Sequence, residues 1–267
     1  MNPGPLIGIV VALFCILAGN LLEGGHLGAM VGGPAAMIVI GGTVGAVIVQ
    51  YPGATLKAAI RAAASTFKKP AGDPAKLVDE IVDYANRARR DGMLALEKVA
   101  ATSSDPFLAK SLMMAIDGAD SASLRQTMEI AITQYEEHGE DAAKVYEACG
   151  GYSPTVGIIG AVLGLIHVMS NLSDINAVGE GIAGAFVATI YGVAFANILC
   201  LPLGGRIKLA VRDGVQRMEM MLTGVLAIQE GMNPKLVRER LGEFLHKDHA
   251  AEKSKAGAPV AETAKAA

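Results

Sequence analysis

Four stretches of this chain, 5–22, 34–51, 154–172 and 181–205, are built from apolar and small residues without a single charge. Each is close to the ~20 residues an α-helix needs to cross ~30 Å of hydrocarbon. Elsewhere the pattern turns periodic. In "GDPAKLVDEIVDYANRARR", Leu77, Val78, Ile81 and Tyr84 recur at helical spacing, with Asp73 placed as N-cap and Pro74 at the first helical position. The same device opens "SDPFLAKSLMMAI" at Asp105-Pro106 and "MNPKLVRERL" at Asn233-Pro234. Residues 121–149 read as one long helix, and no segment reads convincingly as a strand. The pattern predicts an all-α integral membrane protein with four transmembrane helices. A helical domain lies between the second and third, and a helical tail follows the fourth. The expected boundaries are 1–52, 53–150, 151–205 and 206–247. Residues 248–267, Ala/Lys-rich with little to bury, are expected to be disordered. No Lys or Arg precedes the first apolar run, so it is expected to be a retained span and not a cleaved leader.

Charge orients this pattern. Of 23 Lys and Arg, twelve fall between Lys57 and Lys144 and eleven between Arg206 and Lys265. The loops expected at 23–33 and 173–180 have none. Basic residues near span ends stay on the cytoplasmic side, which places both termini and the inserted domain in the cytoplasm. Composition agrees with a membrane protein: 52% hydrophobic and 18% charged residues, with a mean hydropathy of +0.40. A net charge of −3 argues against nucleic-acid binding. Trp is absent, leaving Tyr51, Tyr152 and Tyr191 as candidates for the membrane interface. Cys15, Cys149 and Cys200 fit neither a disulfide framework nor a metal site.

The apolar stretches contain no Asp, Glu, Lys or Arg. An intramembrane charge is costly and is usually retained for function, so an ion path here needs a carboxylate from another chain. The polar residues in the spans are Thr43, Thr155, His167, Ser170, Asn171, Thr189, Tyr191 and Asn197. Each one alone reads as helix–helix glue, and His167 reads as a satisfied core residue. Thr155 and Thr189 stand out because their spans are the richest in small residues. Gly160/Gly164, Gly184/Ala188/Gly192/Ala196 and Gly41/Gly45 predict faces for close helix packing. Pro154 and Pro202 read as residues at helix ends, with a hinge as the alternative. Outside the spans, "ANRARRDGMLALE" sets Arg87, Arg89, Arg90 and Asp91 before Gly92 and Glu97 after it. The basic group ends one helix and the acid lies on the next element. This is either a solvated face or an electrostatic docking surface. No nucleophile, metal cluster or phosphate loop marks an enzyme.

Together, "GGTVGAVIVQYP" (41–52), "ARRDGMLALE" (88–97), "YSPTVGIIGAVLGLIHVMSNL" (152–172) and "GIAGAFVATIYGVAFANILCLP" (181–202) resemble the MotA/PomA family, the A subunit of the bacterial flagellar stator. The resemblance covers roughly 1–246, and the wider superfamily includes the three-span energisers TolQ and ExbB. It implies a pentamer of A subunits around a dimer of a MotB/PomB-type B subunit in the inner membrane. The B subunit supplies the ion-binding aspartate. H⁺ or Na⁺ flow drives torque on the rotor protein FliG, with no resident cofactor. Pro154 and Pro202 match positions that couple ion flow to movement. Thr155 and Thr189 match positions lining the ion path. Arg89 and Glu97 match the rotor-facing pair, with Arg90 auxiliary. The alternatives are a TolQ/ExbB-like energiser of an envelope process and a passive membrane scaffold.

Overall fold

A computed structural model describes residues 3–68, 72–170 and 172–256, with side chains described up to 245. Every regular element among the described residues is helical. Helix α1 is Gly4–Leu22. A 3₁₀ turn, Leu27–Met30, leads to α2, which runs from Gly33 through a π turn at Met37–Gly41 to Gln50. Then come α3 (Gly53–Thr66), α4 (Pro74–Asp91), a 3₁₀ turn Met93–Leu96, α5 (Glu97–Thr102) and α6 (Pro106–Ile116). Two very long helices follow, α7 (Ser121–Ser170) and α8 (Ile175–Gln229), with a π turn at Phe195–Cys200 inside α8. Helix α9 is Pro234–Ala256.

Four of these helical segments are long and apolar enough to cross a membrane: Gly4–Leu22, Leu27–Gln50, Ser121–Ser170 and Ile175–Gln229. The last two have 50 and 55 residues. At 1.5 Å per residue each extends far beyond ~30 Å of hydrocarbon, so each is long enough for a span and a long extension past it.

Capping explains where the helices begin. The Asp73 carboxylate accepts from the Ala75 N–H at 3.0 Å, and Asp105 accepts from Phe107 at 3.0 Å. Asn233 accepts from Lys235 at 3.0 Å. Two further caps were not read from sequence. Asp120 opens α7, accepting from the N–H of Ala122 (3.0 Å) and of Ser123 (2.9 Å) and from the Ser123 hydroxyl (2.6 Å). These bonds, the Ser123 hydroxyl's first, hold the Asp120 carboxyl below its ordinary range. Asp174 opens α8 through the Asn176 N–H at 3.0 Å.

The long helices correct three boundaries. The helix expected over 121–149 and the span expected from 154 are one element, because Pro154 sits inside α7 without ending it. A proline removes one backbone donor, and close neighbouring helices tolerate that loss within a span. The loop expected at 173–180 shrinks because Asp174 starts α8 early, which puts Glu180 on the helix. At the C-terminus, α9 continues past the expected limit of 247 to Ala256. Residues 257–267 of the expected tail lie outside the described residues, as does Asn171.

The chain divides into two compact units. Met1–Pro70 with Glu136–Val211 forms one, and Ala71–Tyr135 with Arg212–Ala267 forms the other. Packing thus regroups the expected contiguous segments, because α7 and α8 each run through a boundary. In the first unit, Val47 of α2, Ala59 of α3 and Ala142 and Val145 of α7 form a small core. The Tyr146 hydroxyl donates to the Ala59 carbonyl at 3.3 Å beside it. Helix α1 buries no residue. The second unit has the larger core, centred on Ile81, Leu96, Leu108, Leu112, Leu124, Met128, Met221, Val225, Val237 and Leu241. Tyr84 lies against it and bonds to Glu80. Burial first, and then this bond, raise its phenol pKa.

Leu124 has no exposed surface. Leu124→Ala is expected to lower the unfolding free energy of the second unit by about 2–5 kcal/mol. Hydrogen exchange of the α4, α6 and α9 amides in the detergent-solubilised protein measures this.

Candidate functional site

The functional candidates of the first unit gather where α7 and α8 meet. Glycine makes that meeting close. A Cβ on Gly192 would lie 2.7 Å from the Ser153 carbonyl oxygen and 3.2 Å from the Cα atoms of Pro154 and Gly157. A Cβ on Gly157 would lie 3.0 Å from the Ala188 carbonyl oxygen and 3.5 Å from Cα of Thr189. Gly160 faces the Ala188 methyl, and Gly164 faces Ala185 and the Gly181 carbonyl. The backbones therefore touch along Ser153, Gly157, Gly160 and Gly164 on one side and Gly192, Ala188, Ala185 and Gly181 on the other. The Ser153 hydroxyl, fully buried, donates to the Gly192 carbonyl at 2.9 Å. Nearer residue 200, Gly204 packs on the Ala143 carbonyl and Tyr146, and Lys208 pairs with Glu147 at 2.6 Å.

Helix α2 lies against this pair. Gly42 abuts Val156, and Ala35 and Val39 form a buried cluster with Val187 and Ala188. The Tyr191 hydroxyl donates to the Met30 carbonyl at 2.7 Å and accepts from the Gly32 N–H at 3.1 Å. It thereby pins the turn before α2 to α8, so Tyr191 serves inside the protein. Thr43, also on the buried face of α2, is fully buried, and its hydroxyl has no partner among the described residues.

The small-residue faces differ in detail from the expected ones. Gly41, Gly45 and Gly184 have nothing within 4 Å of a Cβ position. The working face of α8 runs through Gly181 and Ala185 in place of Gly184. In α2 the contact glycine is Gly42. Sequence reasoning also passed over Ser153, since Pro154 and Thr155 drew attention away from it. The spacing Ser153, Gly157, Gly160, Gly164 was the available signal, because it keeps one helical face small throughout.

Thr155 is exposed, and its hydroxyl donates to the Tyr152 carbonyl at 2.7 Å. Thr189 is partly buried and donates to the Ala185 carbonyl at 3.3 Å. Each hydroxyl thus spends its proton on its own helix and keeps its oxygen lone pairs for a ligand. The Gly157–Thr189 contact sets the two threonines on adjoining turns of the two helices. Thr189 also lines a largely apolar groove of about 400 Å³ with Ile16, Ile190, Val193, Ala194, Asn197 and Ile198. Thr155 does not line that groove.

The two prolines sit inside helices and not at their ends. Pro154 lies against Gly192. Pro202 follows the π turn, where the Leu201 N–H reaches back to the Ala196 carbonyl. The Leu201 side chain covers Gly150, one turn before Pro154. Pro154 offers no N–H to the Gly150 carbonyl four residues earlier, and Pro202 offers none to the π turn that precedes it.

The charged motif belongs to the second unit. Arg89 and Arg90 occupy the last turn of α4, where basic residues suit the helix dipole. Gly92 ends that helix with φ +79°, a conformation that favours glycine. Glu97 then opens α5. The Arg87 guanidinium is engaged by Asp83 at 2.8 Å on its own helix. Among the described residues Arg90 pairs with the adjacent Asp91, at 3.9 Å, with 72% of its side chain exposed. Arg89 and Glu97 are exposed and make no ion pair among the described residues. The structure thus brings Arg89, Arg90 and Glu97 to the two sides of one short turn.

These features coincide with a known family. A model of the MotA/TolQ/ExbB proton channel family matches 99–220, and a motility protein A N-terminal model matches 6–90. Motility protein A of Bacillus subtilis (strain 168) is 31% identical over 249 residues, spanning 92% of this chain and 91% of that protein. The structure of C. jejuni MotAB aligns with a TM-score of 0.88 at 31% identity, covering 91% of this chain and 96% of that one. The flagellar MotAB stator complex from Bacillus subtilis aligns with a TM-score of 0.85 at 32% identity, covering 92% and 97%. The chain belongs to the motility protein A family within the wider MotA/TolQ/ExbB group.

The α7–α8 contact makes a sharp prediction. Gly192→Val forces the helices apart at Ser153, and the purified protein should lose its monodisperse peak on size-exclusion chromatography in detergent. Gly184→Ala adds a methyl in open space and should keep the wild-type profile and melting temperature. Equal behaviour of the two would contradict the packing described.

Proposed function

We propose that this chain is the A-type subunit of a flagellar stator, which joins a B-type subunit to form an ion channel that converts ion-motive force into torque. The agreement along nearly the whole chain with solved MotAB complexes carries this reading. Physical chemistry supports it. The apolar stretches offer threonine oxygens but no carboxylate, so the titrating or ion-binding carboxylate comes from the partner. Thr155 and Thr189, with lone pairs unspent, line the path of H⁺ or Na⁺ beside that aspartate. Neutralising a carboxylate in a low-dielectric site removes its desolvation cost and changes what its helix packs against. Pro154 and Pro202 lie in helical turns that lack one hydrogen bond each, and these turns yield as the partner's charge state changes.

In this reading the chain resides in the bacterial inner membrane with both termini cytoplasmic, as the basic residues demand. Several copies, a pentamer, surround two B subunits. Arg89, Arg90 and Glu97 then face the rotor protein FliG. Exposed opposite charges steer a moving partner at little cost in adhesion, which suits a contact that must be made and released repeatedly. No resident cofactor is required.

The test is a strain lacking this gene and any other stator genes. Intact but paralysed flagella that rotate again on complementation establish the stator reading. Normal rotation without the gene rejects it and shifts the weight to an energiser of envelope transport. Within the complemented strain, Arg89→Glu or Glu97→Lys should lower torque, and an opposite reversal on the rotor should restore it. Pro154→Leu should stop rotation while the chain still co-purifies with its B subunit. Loss of co-purification would make Pro154 a residue of assembly.

A further inference from the structure

The second unit presents one large apolar side chain that its fold does not bury. Leu94 is 73% exposed, more than any other large apolar residue described in that unit. Its neighbours behave in the opposite way. Leu96 has no exposed surface, and Met93 packs against the core. The turn that carries Leu94 is held at both ends. The Ala95 N–H donates to the Gly92 carbonyl at 3.2 Å, and the Glu97 N–H donates to the Leu94 carbonyl. Leu94 therefore projects from a backbone fixed by a buried leucine and by the positive-φ glycine, and little mobility remains to be lost on docking.

A single exposed leucine is ordinary on a protein surface. The setting of Leu94 is not. Arg89 and Arg90 stand on the helix before it and Glu97 on the helix after it, all exposed. An apolar centre within a charged rim is how interfaces are commonly built. The rim alone is weak, since exposed ion pairs contribute little and salt screens them. Burial of an apolar side chain at the centre adds a short-range, salt-insensitive attraction.

We propose that Leu94 is the apolar anchor of a docking surface whose rim is Arg89, Arg90 and Glu97. Its occupant is a surface of another protein that offers an apolar recess between an acidic and a basic group. This rests on the rotor-facing reading above. The charges select and steer the partner, and Leu94 supplies the grip through which force is applied.

The test uses the complete complex in motile cells without other stator genes. Leu94→Ala and Leu94→Gln are compared with Leu94→Met and with Ile130→Ala, an exposed apolar residue of the same unit outside the charged frame (59% exposed). Bead assays at high load give the torque, and a fluorescent tag gives the residence time at the motor. Membrane abundance and co-purification with the B subunit are followed in parallel. Loss of one anchor should shorten residence roughly fivefold or more for the Ala and Gln variants. Met should restore it, and Ile130→Ala should match wild type. Wild-type torque and residence in Leu94→Ala and Leu94→Gln, while Arg89→Glu still fails, would overturn the anchor and leave the rotor reading standing. An equal defect in Ile130→Ala, or loss of the B subunit from Leu94→Ala, would also overturn it, in the second case by placing Leu94 within the complex itself. Full rotation in every Leu94 and charge variant would remove the anchor and the rotor reading together.

Discussion

Where α7 and α8 cross, no side chain separates the two backbones. The Gly192 and Gly157 positions each lie within about a methyl group's reach of the opposite main chain, and the buried Ser153 hydroxyl closes the contact on the Gly192 carbonyl. In a lipid environment helices gain little from hiding apolar surface, because lipid tails are equally apolar. Close van der Waals packing and interhelical hydrogen bonds must hold them instead. The other features of the first unit depend on this contact. It sets Thr155 and Thr189 on adjoining turns, holds Pro154 against Gly192, and provides the surface on which Ala35 and Val39 of α2 pack.

The chain keeps its functional chemistry apart from its packing chemistry. Buried leucines of five helices and one turn hold the second unit together, while the charged side chains of the Arg89–Glu97 segment point outward. In the first unit, glycine, alanine and one serine do the packing, and the candidate threonines satisfy their protons locally. Neither unit places an Asp, Glu, Lys or Arg in the apolar stretches. Under the proposed function, the carboxylate of the ion path is therefore the partner's.

Much of this was legible in sequence because it depends on local rules. Asp73-Pro74, Asp105-Pro106 and Asn233-Pro234 announced helix starts, and Gly92 announced the break that divides Arg90 from Glu97. The uncharged runs marked the spans. Less was legible where the outcome depends on a neighbouring element. Nothing local says that α7 continues through Pro154, since the proline penalty is offset by a helix packed against it. Which glycines meet a neighbour depends on helix rotation, so nothing local separated Gly181 from Gly184 or Gly42 from Gly41. The twofold grouping of the chain was hidden because α7 and α8 each serve both units.

Ion flux measured in reconstituted vesicles tests the central claim most directly. The chain alone, the chain with its B subunit, and the complex with the B aspartate replaced by asparagine are each incorporated and loaded with a pH- or Na⁺-sensitive dye. An imposed ion gradient should discharge through the complete complex and remain intact in the other two. Discharge through the chain alone would mean that its own groups carry the ion, which contradicts an A-type subunit that depends on its partner's carboxylate.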